Sequence, residues 1–451
     1  MAAAAKNIAE PARATEIFGE YEVAVLGGGP AGIAAATAAA RLGRRTLLIE
    51  RYGFLGGMGT AAGVTNFCGL YANVHGEMWP VVHGIADDLL ARIGRLGGLN
   101  EPHVVLRKTK AQAYDTAAYK IAADDLLLGA HVDILFHALG VTAQMDNAGG
   151  IAALIVETKS GRRAVVADIF IDCSGDGDLA AWAGAPFELG DGAGNLLYPT
   201  AMFRVNGVDP QRAGDAWRSI PELMLEAERR GTKFPRKGAI VRPQRNPIEW
   251  RVNVTQLASA NGRALDGTDA VELSGGEIDG RRQILGYFEF LRSEVPGFED
   301  AYIVDIPPQI GIRETRRITG AYQLTADDVL GCANFEDTIG VNGWPIEEHV
   351  AGDVNWRWPD IPGSRGFNHL PYRMLLLENV ANLLVAGRCA SMMHDAQSAA
   401  RVSGACFVMG EAAGTAAHLA LASDRALADI EVDALQELLE EGGVYLGRDV
   451  E

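Results

Sequence analysis

Tyr21-Glu-Val-Ala-Val-Leu-Gly27-Gly-Gly29-Pro-Ala-Gly32, with Glu50 placed 18 residues beyond Gly32, decides the fold of this chain. Residues 21–26 form a short apolar run, long enough for one buried strand. Gly27-x-Gly29-x-x-Gly32 follows at once, and the Ala-rich residues 33–42 read as a helix ended by Gly43. Residues 45–49 read as a second strand closing on Glu50. Gly27 permits the tight turn, Gly29 lets backbone approach a pyrophosphate, and Gly32 lets helix and strand pack closely. The helix start presents N–H groups to phosphates, and Glu50 can accept from a ribose 2′-OH. Strand, glycine turn, helix and acid in this order predict a dinucleotide site.

Composition bounds the rest. At 451 residues the chain is too long for one ordinary core, so two or more units are expected. Net charge is 40 − 58 = −18, which argues against nucleic acid or an anionic membrane as partner. It does not bear on the substrate, because a pocket can be locally basic. No apolar run reaches 18 residues, so no membrane helix is expected. Residues 1–19 lack a basic-then-apolar signal pattern and are expected to be a loose extension. The five cysteines form no Cys-x-x-Cys pair, which suits a reducing, cytoplasmic setting. The nine histidines show no helical ligand spacing, so no metal is expected.

Residues 51–60, carrying Arg51, Gly56, Gly57 and Met58, are too glycine-rich for a helix or strand interior. They are expected to pass close to the cofactor. Residues 63–80 are aromatic and fit either core or a flat ring pocket. Helices are expected over 85–96 and 110–128, then a strand over 131–136. Residues 141–145, 151–158 and 165–171, joined by tight turns, read as an antiparallel meander. It ends in a Gly/Asp turn, with Ser174, Gly175 and Asp178, that is expected to contact the dinucleotide. After Pro186 the composition shifts. A mixed α+β unit is expected over 198–373, with a helix over 276–295. Inside it Arg313-Glu-Thr-Arg316-Arg317 reads equally as surface ion pairs or as guanidinium forks facing a pocket. Residues 382–387 resume the first unit as a strand, Arg388 leaves it, and 398–422 read as one long helix of small residues. Residues 433–439 look like a terminal helix. The expected fold is α/β: a Rossmann-like domain over 20–197 and 374–425 with an inserted meander, a cap over 198–373, and a tail over 426–451.

Four blocks together resemble the bacterial FAD-dependent oxidoreductase family of glutathione-reductase-type fold. They are the 27–32 turn, Glu50-Arg-Tyr-Gly-Phe-Leu-Gly-Gly, Gly311-Ile-Arg-Glu-Thr-Arg-Arg and Asn382-Leu-Leu-Val-Ala-Gly-Arg388. Gly410 to Thr415 matches that family's closing helix, so the resemblance spans about residues 21–422. It implies one bound FAD, held by Gly27, Gly29, Pro30, Ala31, Gly32, Glu50, Arg51, Gly56, Gly57, Met58, Ser174, Gly175, Asp178, Gly387, Arg388, Ser403 and Gly404. The last helix would direct its positive end at the flavin. His394-Asp395 is a near match to a His-Glu pair beside the ring, which makes His394 the expected base and Arg313 or Arg388 the anchors of a substrate anion. The implied activity is a dehydrogenase or oxidase that moves a hydride from a small polar molecule to flavin N5. A flavin monooxygenase using NAD(P)H is the alternative, though Gly387-Arg388 stands where related hydroxylases carry Gly-Asp. An electron-transfer flavoprotein subunit is a third reading, and homo-oligomerisation stays open.

Overall fold

The apolar run 21–26 is the end of a longer strand. In the computed structural model, which describes residues 8–450, β1 spans Glu16–Leu26. Glu16 to Gly19, expected in the loose extension, pair with a neighbouring strand through backbone bonds that need no apolar side chain. Residues 1–7 of that extension lie outside the described residues. The chain continues through α1 (Pro30–Arg41), β2 (Thr46–Ile49), α2 (Thr116–Gly129), β3 (Asp133–Leu135), β4 (Leu139–Met145), β5 (Ile151–Thr158) and β6 (Gly161–Asp172). It then passes α3 (Ala270–Glu294), β7 (Leu383–Val385), α4 (His394–Ala400) and α5 (Ser403–Ser423).

The main sheet has the order β3-β2-β1-β6-β5-β4. β6 serves two neighbours along one edge. Its first half pairs antiparallel with β5, and Phe170 to Asp172 pair parallel with β7. The meander is thus grafted onto a parallel sheet, as expected. The register aligns the ends of five parallel strands: Leu26 lies beside Ile49 and Asp172, Ile49 beside Leu135, and Asp172 beside Val385. Ligands of open α/β sheets bind at this carboxyl edge.

Two expected helices are corrected. The one read over 110–128 begins at Thr116, capped by the Asp115 carboxylate, which accepts from Ala118 N–H at 2.9 Å. Thr109–Ala113 instead form a strand between His103–Val105 and Asn66–Phe67. The one read over 398–422 is two helices, α4 and α5, broken at Arg401 and Val402. Among the described residues, α5 is long and apolar enough by composition to cross a membrane, but 78% of its most apolar 18 residues are buried in the fold.

α5 packs on α1 at backbone contact. A Cβ on Gly410 would lie 2.0 Å from Ala31 O, and one on Gly414 would lie 2.2 Å from Ala35 O. Small residues on both helices are what this approach requires. A second core, from Ala201 to Ile312, joins α3 and Ala216–Arg229 to an antiparallel sheet of Phe203–Asn206, Ile240–Pro243, Trp250–Asn253 and Tyr302–Asp305. Leu324, Val329, Ile339, Leu370 and Leu375 pack into the first core instead, so the second core stops well short of Arg373.

Candidate functional site

A cavity of ≈ 890 Å³ runs from the glycine turn at the end of β1 to the inner face of the second unit's sheet. This is at the upper end of small-molecule sites, roughly 300–1,000 Å³. Its first half is backbone. Gly27, Gly29, Pro30 and Ala31 line it, with Gly57 and Met58 from the following loop, Ser174 and Gly175 after β6, and Gly387 after β7. Gly27 has φ +101°, and a Cβ there would sit 2.4 Å from Cys173 O. Gly57 has φ +53°, and its Cβ would meet Gly29 Cα at 2.8 Å. Both loops therefore touch through bare backbone. Pro30 sits at the first helical position of α1, and no side chain caps that helix. Its first-turn N–H groups are left for a phosphate. The buried Glu50 carboxylate accepts from Gly28 N–H at 2.7 Å and from Tyr52 N–H at 3.0 Å, which fixes it at the cavity wall.

α5 also starts on this wall. Val402 and Ser403 line the cavity, and no side chain caps the helix. Gly404 donates to Cys68 O at 2.9 Å, and Ser403 Oγ accepts from Cys68 N–H at 3.0 Å. The break at Arg401 thus turns a helix N-terminus, with its positive dipole end, toward the ligand space.

Other expected residues stand behind the wall rather than on it. Gly32 packs on the turn, where a Cβ would lie 1.8 Å from Gly27 O; Gly56 packs on Thr60 and Gly404 on Gly69. Asp178 does not line the cavity. It pairs with Arg316 at 2.8 Å, and burial, then Asp176 and Asp172, push its carboxyl up to about 6. Arg388 lines the cavity but is anchored on Asp176 at 2.8 Å. Arg51 and Arg313 both line it, and Arg313 donates to Tyr198 O at 2.6 Å.

His394, expected as the base beside the ring, does not line the cavity. It begins α4, and its Nδ1 lies 2.9 Å from Glu314 Oε1 in a buried network with Arg317. Two imidazoles that the sequence analysis does not single out line the cavity, His103 and His349, and the one held against a carboxylate is His349. It is 5% exposed, and its Nε2 lies 3.2 Å from Glu347 Oε1. Burial, and then the Arg313 charge, hold its pKa well below the ordinary value of 6.5. Burial pushes the Glu347 carboxyl up, but bonds from His349 and Trp344 Nε1, with the Arg401 charge, outweigh it and hold it low.

Around this pair the cavity is cationic. Arg236, Arg242 and Arg251 come from the second unit, and Arg401 from the break before α5. Strand alternation explains Arg242 and Arg251, while Arg236 lies in the loop before Ile240–Pro243. Val241, Trp250 and Val252 point into the second core, so Arg242, Arg251 and Asn253 face the opposite way, onto the cavity. Arg236 Nη1 donates to Asn253 Oδ1 at 3.0 Å, and Arg251 Nη1 donates to Val64 O.

No curated protein matches the chain in sequence. In fold it is similar to a geranylgeranyl bacteriochlorophyll reductase-like protein of Thermoplasma acidophilum, at 13% identity and a TM-score of 0.48, over 96% of this chain and 84% of that one. It is also similar to p-nitrophenol 4-monooxygenase of Pseudomonas putida, at 12% identity and a TM-score of 0.41, over 94% and 81% of the two chains. A myxobacterial chondrochloren halogenase matches at 13% identity and a TM-score of 0.43, over 93% and 78%. These likenesses do not bear on the reaction. The family model for FAD dependent oxidoreductases matches residues 22–439, nearly the whole described chain. The bare glycine cradle, the uncapped starts of α1 and α5, and Glu50 on the wall fit the cofactor that this family uses. The chain belongs to the FAD dependent oxidoreductase family.

Proposed function

We propose that this enzyme oxidises a small polar organic molecule, whose C–H hydride leaves for bound FAD while His349 takes the accompanying proton; dioxygen or another oxidant closes the cycle. FAD, when bound, supplies the hydride acceptor. The chain supplies position and proton transfer. The observation that carries the reading is one continuous cavity joining the glycine cradle and the start of α5 to the buried Glu347–His349 pair.

The tautomer follows from the partner. An ionised Glu347 can only accept, so the proton between it and His349 belongs to Nε2. Nδ1 is then the unprotonated nitrogen. A histidine held neutral by burial and by Arg313 is ready to accept a proton at neutral pH, and Glu347 steadies the imidazolium that results. His394, held by Glu314 outside the cavity, is replaced as the candidate base.

Anaerobic screening of the yellow protein against alcohols, amines, hydroxy acids and sugars identifies the substrate by bleaching of the flavin. With that substrate, His349→Gln slows flavin reduction in stopped flow by roughly 10²-fold or more, with FAD content unchanged. The acid limb of the wild-type rate profile lies below pH 6.5, because the base has a lowered pKa and stays deprotonated above it. A rate unaffected by His349→Gln removes the residue from this role.

A further inference from the structure

We infer that the substrate is a small organic oxyanion, held by the guanidinium groups of Arg236 and Arg251 on the second unit and by Arg401 facing them from the start of α5. This rests on the oxidation proposed above, although its test requires no turnover. Two independent observations point to it.

The first is charge placement. The chain as a whole carries −18. Nine arginines but only three carboxylates, Glu50, Glu347 and Asp353, line the cavity, a formal 9 − 3 = +6. Asp176 and Asp215, just off the wall, pair with Arg388 and Arg218, and FAD's pyrophosphate cancels about two more charges, which leaves a surplus of about two on a wall within an otherwise acidic protein.

The second is unmet hydrogen bonding. Among the described residues, Arg236 Nε and Nη2, Arg251 Nε, and Arg401 Nε and Nη2 are buried with no partner. Arg236 and Arg251 are 2% and 4% exposed. Buried donors of a charged group cost far more unpaired than paired, and a guanidinium fork matches the two oxygens of a carboxylate or phosphate. Each cation also lowers its neighbours' affinity for protons: Arg236 is depressed to about 10, by burial first and with Arg251 contributing. Burial and then Arg236 and Arg401 depress Arg313. An incoming anion relieves both the repulsion and the empty donors. Glu347 cannot do so alone, since its oxygens are engaged by Trp344 and His349.

The test is equilibrium titration of the oxidised holoenzyme, following the flavin absorbance spectrum. The probes are succinate, citrate and inorganic phosphate, with neutral succinamide as the shape-matched control. At least one anion should perturb the spectrum saturably, and succinamide should not; the responding anion names the carboxylate or phosphate group. Arg236→Gln and Arg251→Gln should each weaken that binding by roughly 30-fold or more while retaining FAD. Silence from all three anions, equal binding of succinamide, unchanged affinity in both variants, or loss of FAD from them would overturn the inference. The wild-type comparison of anion with amide stands even where a variant does not fold. A positive titration together with a normal rate in His349→Gln would sink the proton-transfer role and leave the anion site standing.

Discussion

Gly27→Ala gives a protein that purifies without FAD and unfolds at markedly lower urea concentration. Gly27 sits at φ +101°, where an L side chain is strained. Its new Cβ would lie 2.4 Å from Cys173 O and 2.9 Å from Ser174 Cα, both backbone atoms that cannot rotate away. The turn after β1 and the turn after β6 must then separate. Those two turns supply Gly29, Ser174 and Gly175 to the cavity wall, and Gly27 N–H is bonded to Ile49 O at 2.8 Å. Strain plus overpacking amounts to roughly 2–5 kcal/mol. The measurements are flavin absorbance per mole of purified protein and the urea midpoint. Gly43→Ala is the internal control. Gly43 also has positive φ, +86°, but a Cβ there meets nothing within 4 Å, so only strain applies. It should lose about 1 kcal/mol and keep its FAD. Gly27→Ala purifying yellow, with one FAD per chain, would contradict the geometry on which the whole cofactor site rests.

This contrast shows what a sequence reveals here and what it conceals. The dinucleotide half of the cavity is local. Strand, turn, helix and acid follow one another within about thirty residues, and glycines needed for backbone contact leave a visible mark. The other half is assembled across the chain. Trp250-Arg251-Val252-Asn253 is legible as an alternating strand, and alternation ordinarily sends its charged face to water. Only tertiary packing shows that this face closes over a ligand space. Glu347 and His349 lie two apart on Ile346–Val350, a spacing that puts both on one side of the strand. That signal was present, but it is too common to separate from an ordinary surface pair. The break before α5 had no marker either: neither proline nor glycine interrupts the stretch from Ser398 to Ser403, and small residues continue on both sides. His394 is an imidazole in the loop that the family resemblance places beside the ring, which makes it the expected base. What withdrew it from the cavity was Glu314, eighty residues earlier.

That withdrawal yields the second large effect. Arg317→Met should destabilise the protein by about 3–5 kcal/mol in urea at neutral pH, because it strands a buried carboxylate. Glu314 is fully buried, and Arg317 is 2% exposed. Arg317 bonds Glu314 Oε1 at 2.8 Å and also reaches Gly190 O, Met392 O and Glu188. Glu314 keeps Leu197 N–H at 3.0 Å and His394 Nδ1 at 2.9 Å. Losing Arg317 leaves His394 as the nearest counter-charge, and that charge depends on pH. Burial disfavours protonated His394, but the Glu314 bond and charge outweigh it and raise its pKa above the ordinary 6.5. A raised folded-state value means that the stabilisation is complete below about pH 6.5 and disappears as pH climbs through the folded value. The variant should therefore be least impaired in mild acid and lose ground steadily above neutrality, more steeply than wild type. Adding Glu314→Gln to Arg317→Met removes the stranded charge and should restore part of the loss and flatten the pH slope. A cost below about 1 kcal/mol, typical of surface pairs, or an unchanged pH slope would show that the network is solvated and that His394 is not held by it. If the network holds, His394 is the group that keeps a buried charge neutralised behind the cavity wall, and it is no rival for the proton-transfer role proposed for His349.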